Sequence, residues 1–297
     1  MAVLIFLAAC GLSEEEKRRA TVVERKRLQK ETVAALKIAV MPTLDCLPLY
    51  VAKDLCLFDT LHVDVRLRPF TAQMDCDTAI AGGSVEGMVS DLIRTERLKK
   101  KGTPLYYLSS TNVYWQLISN KNARLKQLNQ LGDKMVAMTR FSATDYLTDQ
   151  ALAGVKTKAQ VFKIQINDVH VRLHMLLNNE MDAMWLAEPQ ATMARLNRHP
   201  VMMDSDSLKT KLGILAFRQK ILGSRRRKEQ LALFTKAYNM AVDSINQKGL
   251  KHYSPIIKKY CCTDDKTVQA LPRILFDPIT KPSASNVESI LPYLQKL

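Results

Sequence analysis

A proline two residues past a buried strand constrains what the first third of this chain can become. Residues 36–58 read LKIAVMPTLDCLPLYVAKDLCLF. Residues 37–40 predict a short buried strand. Pro42 lacks a backbone N–H and biases Met41 toward extended backbone, so the strand cannot run on through 41–45. Over 47–57 the apolar positions Leu47, Val51 and Leu55, followed by Leu57 and Phe58, keep a helical period, and Pro48 is tolerated in a first turn. A strand therefore feeds a polar loop, and the loop feeds a helix. In an open α/β sheet such a loop lies at the carboxyl end of the strand, where ligands collect, which makes Thr43 and Asp45 candidate ligand-binding residues.

The chain has 297 residues, enough for two lobes of ordinary size. After residue 10 no apolar run approaches the roughly 20 residues of a membrane span. The formal net charge is +15, but the basic clusters at 17–19, 25–27, 99–101 and 225–228 are scattered and not interleaved with aromatics. No helix-turn-helix, RNA-recognition or zinc-finger pattern surrounds them, so nucleic acid is not an expected partner. His170 and His174 stand four apart on one helix face, a spacing zinc accepts. No Glu-His pattern or third ligand accompanies them, and no CxxC spacing occurs among the cysteines, so neither a metal nor a cofactor is expected.

Cys10 ends the run Leu7-Ala8-Ala9-Cys10 after an apolar stretch, and this resembles a bacterial lipobox. Residues 1–10 then read as a lipoprotein signal segment with Cys10 as the lipidation site. The mixed-charge stretch 11–36 reads as a tether that holds the body off the membrane. Cys46, Cys56, Cys76, Cys261 and Cys262 remain, an odd number from which no disulfide can be assigned.

Further along, a helix is expected over 72–81, closed by Gly82 and Gly83, and then a strand over 85–90. Ser90 and Asp91 fall at that strand's end and at the start of a helix over 92–100, where either serves as an N-cap and can also face a cleft. A strand over 104–109 is followed by one over 113–119 that reads as the crossing into a second lobe. Tyr114 and Trp115 alternate in facing, so at most one lines a cleft. A helix is expected over 125–131 and a strand over 134–138. The segment Thr139-Arg140-Phe141-Ser142-Ala143-Thr144 then leads into a helix, offering free N–H groups and hydroxyls to an acceptor. Arg140 is placed to pair with a ligand anion, or with Asp145 or Glu188. After a strand over 161–166 and a helix over 170–178, the strand 182–186 puts Trp185 and Glu188 at its cleft end, and Glu188-Pro189 opens the next helix. An indole suits a ring or an alkyl chain, and a carboxylate suits an amine. A long amphipathic helix over 226–248 and a terminal helix over 283–297 close the chain.

The pattern "PT-D-xPLYVAK-xxLF" followed by a strand over 62–67, the segment "A-GGSVEGMVSD", and "LLNNEMDAMWLAEP" at 176–189 together resemble the type 2 periplasmic solute-binding proteins of ABC importers, in the branch that binds alkanesulfonates, taurine, nitrate and thiamine-pyrimidine precursors. The resemblance covers roughly residues 37–297. It implies an α/β fold of two lobes, each a mixed, mostly parallel sheet flanked by helices, with hinge strands and a cleft between them. Lobe one would comprise 37–118 and 212–297, and lobe two 119–211. The implied ligand-binding set is Thr43, Asp45, Ser90, Asp91, Trp115, Arg140, Phe141, Ser142, Ala143, Thr144, Trp185 and Glu188. Family members usually carry Gly where this chain has Cys56, at a helix end that suits a left-handed residue.

The function expected from these readings is a non-enzymatic, monomeric receptor in the periplasm or cell envelope, lipid-anchored through Cys10, that closes over a small organic ligand and delivers it to the permease subunits of an ABC importer. Asp45, Asp91, Trp185 and Glu188 point to an amine-bearing ring such as a thiamine-pyrimidine precursor, whereas Arg140 and the helix start at Ser142 point to an anion. An alkanesulfonate, taurine or nitrate binder of the same branch is the alternative. A biosynthetic enzyme on the same fold is the alternative of another class, since fold alone does not fix function.

Overall fold

The computed structural model of the protein describes residues 22, 24, 34–208 and 210–296. The expected lipidation site Cys10, the signal segment and most of the tether lie outside the described residues. The chain divides between Ala35 and Leu36, and the two sheets both belong to the second unit.

Strand β1, Leu36–Val40, is buried along nearly its whole length, as a strand covered on both faces must be, and its apolar run follows from that. It pairs in parallel with β2, Val65–Pro69, and with β3, Gly87–Asp91. Strand β10, Gly213–Arg218, returns late in the chain and runs antiparallel between β3 and β4, Leu105–Ser110. The order is β2-β1-β3-β10-β4. The second sheet repeats this plan in the order β7-β6-β8-β5-β9. Its strands are β5, Gln116–Ser119, β6, Met135–Met138, β7, Phe162–Gln165, β8, Ala183–Leu186, and β9, Val201–Asp204. Here β6 is parallel to β7 and β8, while β5 is antiparallel to β8 and β9. The result is the two-lobed α/β periplasmic-binding-protein fold.

The backbone passes between the sheets twice, over 111–115 and over 205–212. The two passages are tied together: the Ser205 N–H donates to the Trp115 carbonyl and the Trp115 N–H to Ser205 Oγ, both at 2.8 Å. Gly213 begins the return, and a Cβ there would come within 2.2 Å of Thr111 Oγ1 and of Val113 Cγ1. Only a residue without a side chain lets the passages lie this close.

Helices follow the strand ends. Helix α1, Leu47–Asp54, has its proline in the first turn. Cys56 separates it from α2, Leu57–Thr60, and adopts the left-handed conformation with φ 54° that glycine would take more easily. Helices α3, Gln73–Gly82, and α4, Leu92–Lys100, flank lobe one. Helices α5, Ala143–Leu152, α6, Val169–Leu177, and α7, Gln190–Leu196, flank lobe two. The long α8, Arg225–Lys248, buries Phe234 against Phe58 and Phe217, with ring centroids 5.9 and 5.6 Å away. Two short helices, α9, Ser254–Cys261, and α10, Asp265–Ala270, precede α11, Ala284–Gln295. Ile290 and Leu294 of α11 join one apolar cluster with Leu92 and Ile93 of α4 and Leu147 of α5. Tyr293 meets Tyr146 of α5 edge to face at 5.2 Å, and Lys100 of α4 donates to the Leu294 carbonyl.

Three elements differ from the sequence reading, each for a local reason. The strand expected over 62–67 starts only at Val65, because His62 takes a left-handed turn with φ 52°. The helix expected over 125–131 is reduced to a turn, Leu128–Leu131, because Gln130 Oε1 accepts the N–H groups of Lys126 and Gln127 at 2.7 and 2.9 Å. The strand expected over 113–119 holds only at Gln116–Ser119, since the preceding residues make the passage between sheets.

Cys56→Gly should stabilise the protein by about 0.5–1 kcal/mol. Removing Cβ relieves a left-handed cost of roughly 1–2 kcal/mol, offset in part by about 0.4–1 kcal/mol of extra entropy in the unfolded chain. Urea unfolding of the two proteins measures the difference, and an unchanged or lower midpoint would contradict it.

Candidate functional site

Four strand ends converge between the lobes. From lobe one come the loop after β1 and the end of β3, and from lobe two the ends of β6 and β8. Between them lies a cavity of about 60 Å³, room for a handful of water-sized atoms. Met41, Thr43, Asp45, Gln73, Val89, Ser90, Asp91, Val113 and Trp115 line one side. Thr139, Ser142, Thr144, Val169, Arg172, Gln190 and the stretch 185–187 line the other.

The lobes touch along both rims. Thr71 Oγ1 donates to Asp168 Oδ2 at 2.5 Å, and the Val169 N–H donates to the Thr71 carbonyl at 3.1 Å. On another flank the Leu44 N–H reaches the Glu188 carbonyl at 2.9 Å, and Gln190 Nε2 donates to the Pro42 carbonyl at 2.8 Å. The Arg97 guanidinium lies 4.0 Å over the Phe141 ring.

Eight of the residues expected from the sequence are brought together around the cavity: Thr43, Asp45, Ser90, Asp91, Trp115, Ser142, Thr144 and Trp185. Ser142 caps α5 by accepting the Thr144 N–H at 3.1 Å. Asp91 caps α4 by accepting the Arg94 N–H at 2.9 Å. Burial pushes the Asp91 carboxyl up to about 6, against the opposing pull of Arg94. Burial likewise raises Asp45, against a weaker opposing pull from surrounding hydrogen-bond donors such as Thr111 Oγ1 at 3.5 Å. Trp185 is fully buried and spends its indole N–H on Thr148 Oγ1 at 2.9 Å.

The other four are set elsewhere. Arg140 is exposed, and its carbonyl rather than its guanidinium is engaged, by Arg94 at 3.5 Å. Its expected partner Asp145 instead accepts from the Phe141 N–H and from Lys163, both at 2.9 Å. Phe141 turns its ring to Arg97 from a left-handed backbone, φ 57°. Ala143 is fully buried at the first position of α5. Glu188 lies beside the cavity but is already satisfied. Its Oε1 accepts from Arg195 at 2.7 Å and from the Tyr114 hydroxyl at 3.3 Å, and its Oε2 accepts from Thr192 N–H at 3.0 Å and Thr192 Oγ1 at 2.7 Å. A carboxylate with four donors has little left to offer an amine. Tyr114 thus faces a recess shared with Glu188, while Trp115 faces the cavity.

Arg172 and Gln190 are the polar contributors the sequence reading passed over. Arg172 sits on the buried face of α6 with Val169, Leu173 and Leu176. An arginine in an apolar stripe was the available signal. Its Nη1 donates to the Trp185 carbonyl at 3.1 Å, and burial draws its pKa down to about 10. Gln190 opens α7 directly after the Glu188-Pro189 pair.

Asp45 Oδ1, Ser90 Oγ, Thr139 Oγ1, Arg172 Nε and Gln190 Oε1 are buried and have no hydrogen-bond partner among the described residues. All five belong to residues lining this one cavity. A buried polar atom left unpaired costs about 1–3 kcal/mol, so their gathering at one place marks a surface shaped to receive polar atoms from outside. Among the described residues, no three His, Cys, Asp or Glu stand together as metal ligands, and the five described cysteines are free thiols.

Two sheets of this order around such a cleft define the periplasmic-binding-protein fold, and solved structures with that fold superpose on the chain. The ligand-binding component of an ABC-type import system from Staphylococcus aureus, solved with zinc bound, aligns with TM-score 0.74 and 15% identity over 88% of this chain and 91% of that one. The alkanesulfonate-binding protein SsuA from Xanthomonas axonopodis pv. citri, bound to MOPS, gives TM-score 0.74 and 15% identity over 89% and 94%. The periplasmic nitrate-binding protein NrtA from Synechocystis PCC 6803 gives 0.68 and 15% over 79% and 68%. No curated protein matches the sequence. Residues 43–245 match the family profile described as NMT1/THI5 like, and the chain belongs to that family.

Asp91 should make stability pH-dependent. Its folded-state pKa, about 6, lies above the ordinary 3.8, so its stabilising contribution is fully present below the lower value and is lost as the pH rises through the upper one. At about 1.4 kcal/mol per unit this amounts to roughly 3 kcal/mol. Asn can keep the cap but cannot ionise. Between about pH 3 and pH 7, Asp91→Asn should therefore lose roughly 3 kcal/mol less stability than the wild type in urea unfolding. Parallel pH profiles would contradict the assignment.

Proposed function

We propose that the chain is a non-enzymatic, extracytoplasmic solute receptor of an ABC importer, which closes over a small amine-bearing organic ligand and presents it to a permease. The single observation that carries this reading is the set of five unpartnered buried polar atoms, drawn from both lobes and belonging to one cavity. A ligand satisfies both halves only when the lobes meet, so it favours the closed form by its differential affinity. The family membership, the binding proteins among the structural neighbours and the lipobox-like start ending at Cys10 support the same reading. The lipid anchor itself belongs to this proposal.

The amine is favoured by Asp45, whose buried carboxylate keeps one oxygen free. An aminopyrimidine of the thiamine-precursor kind and a compact alkyl amine both meet that requirement. A purely anionic ligand, an alkanesulfonate or nitrate, is the second reading, and Arg172 is the observation that favours it.

A thermal-shift screen of the purified chain against aminopyrimidines, 2-aminoethanesulfonate, alkanesulfonates and nitrate tests these readings. A true ligand at 100 times its Kd should add about 2.7 kcal/mol of stability, and Asp45→Asn should weaken an amine ligand tenfold or more. Stabilisation by sulfonates or nitrate alone, unaffected by Asp45→Asn, would reverse the order of the two readings. Chemical conversion of a bound compound would overturn the receptor.

A further inference from the structure

A second groove lies on lobe one, between the end of α8, the turn at Gly249 and the segment 271–275. Leu250, Val268 and Leu271 give it an apolar floor. Leu275 at its edge is 58% exposed, the most of any large apolar side chain among the described residues. Lys248, Lys251 and Arg273 stand along it, all exposed. No Asp or Glu lines the groove, and among the described residues no carboxylate pairs with any of the three cations. The neighbouring carboxylates of Asp265 and Asp54 are held by Lys258 and Lys259 instead.

Over 271–278 the chain makes no helix, strand or turn. Pro272 and Pro278 bracket the apolar run Ile274-Leu275-Phe276, and proline has no N–H with which to extend a ladder. The segment is nevertheless fixed at both ends. The Leu271 N–H reaches the Val268 carbonyl at 3.4 Å, and Phe276 exchanges both its backbone hydrogen bonds with the Asn246 side chain, at 2.9 and 2.8 Å. Between these anchors the N–H and C=O groups of Arg273, Ile274 and Leu275 have no hydrogen-bond partner among the described residues. A held, unpaired stretch of backbone beside an apolar floor is what an added strand requires, since main-chain bonds supply affinity and side-chain pockets supply selection. Little of the segment's own freedom is left to lose on binding.

We propose that this groove docks an extended acidic segment of a partner protein. The segment pairs with the backbone of Arg273 and Leu275, whose N–H and C=O groups face the same way in an extended chain. It sets its apolar side chains on the floor and turns its carboxylates to Lys248, Lys251 and Arg273. Charge complementarity decides the sign of the partner, because three unpaired cations in one groove attract a carboxylate-rich chain and repel a basic one. The free backbone decides its kind. An anionic lipid answers the cations and the floor but leaves the main-chain groups to water. The groove shares no residue with the cleft cavity, and only Ile274 with the recess beside it, so the solute held in the cleft does not bear on this docking.

Selection of a displayed library of random peptides on the full chain should enrich sequences that alternate acidic with apolar residues. Calorimetry of an enriched peptide then tests how it binds. Replacing its acidic residues by Lys should weaken binding by about tenfold or more. N-methylating alternate amides along one edge of the peptide should do the same, and along the other edge should do little. Lys251→Glu combined with Arg273→Glu alters only exposed side chains, so circular dichroism should be unchanged while binding weakens by about tenfold or more. Amide exchange at Arg273 and Leu275 should slow in the complex. A library that yields no binder, or a basic or uncharged consensus, would overturn the proposal. So would an acidic peptide bound equally well after N-methylation of either edge or by the doubly substituted chain. Binding to phosphatidylglycerol vesicles that the double substitution abolishes, with no peptide enriched, would make the groove a membrane contact and overturn it too.

Discussion

The antiparallel seating of β10 between β3 and β4 is the constraint on which the remaining architecture depends. A strand from the last third of the chain completes a sheet begun in the first third, so the backbone must leave lobe one, build lobe two and come back. The mirrored place of β5 beside β8 imposes the same requirement on the second sheet. The outward and return passages therefore run side by side, linked at Trp115 and Ser205 and pressed together where Gly213 meets Thr111 and Val113. Any swing of one lobe against the other would have to turn on these few residues, because packed cores resist continuous deformation.

That arrangement also explains the location of the polar atoms. Parallel strands within each lobe bring their carboxyl ends to one edge, and the double passage turns the two edges toward each other. The helices that follow begin with free N–H groups at that edge. Asp91 answers one such helix, its own α4, through the Arg94 N–H. Asp45 and Arg172 lack that kind of internal answer. Cap groups already answered and charges that await something external occupy the same small space, and hydrogen-bond partners, more than residue type, separate the two.

Much of this was legible from residues alone. The break at Pro42, the helix starts at Asp91 and Ser142, and the turn at Glu188-Pro189 are local signals of proline and capping chemistry, and they located the strand ends that meet at the cleft. Which side chains at those ends remain free was not legible, because it depends on partners far away in sequence. Glu188 looked available until Arg195 and Tyr114 were seen to hold it. Arg140 looked like the cation of the cleft, yet the left-handed turn at Phe141 belongs to a loop that leaves it in solvent. Arg172 was hidden for the opposite reason: a helix-face pattern read for its apolar members passes over the one charged residue buried among them. Cys56 shows the limit of a residue preference, since neighbouring turns hold a non-glycine residue in left-handed backbone all the same.

The terminal helix α11 adds a third tie between the lobes. It is fixed to α4 through Lys100 and the Ile290 and Leu294 side chains, and it lays Tyr293 against Tyr146 on α5. A pair of side-by-side passages alone permits swinging about one line. A brace set away from that line resists any swing that parts α4 from α5, while a twist that slides one tyrosine ring across the other is less hindered. Any opening that parts α4 from α5 would have to draw Tyr293 off Tyr146 or α11 off α4, so α11 ties the gape of the cleft to its own packing.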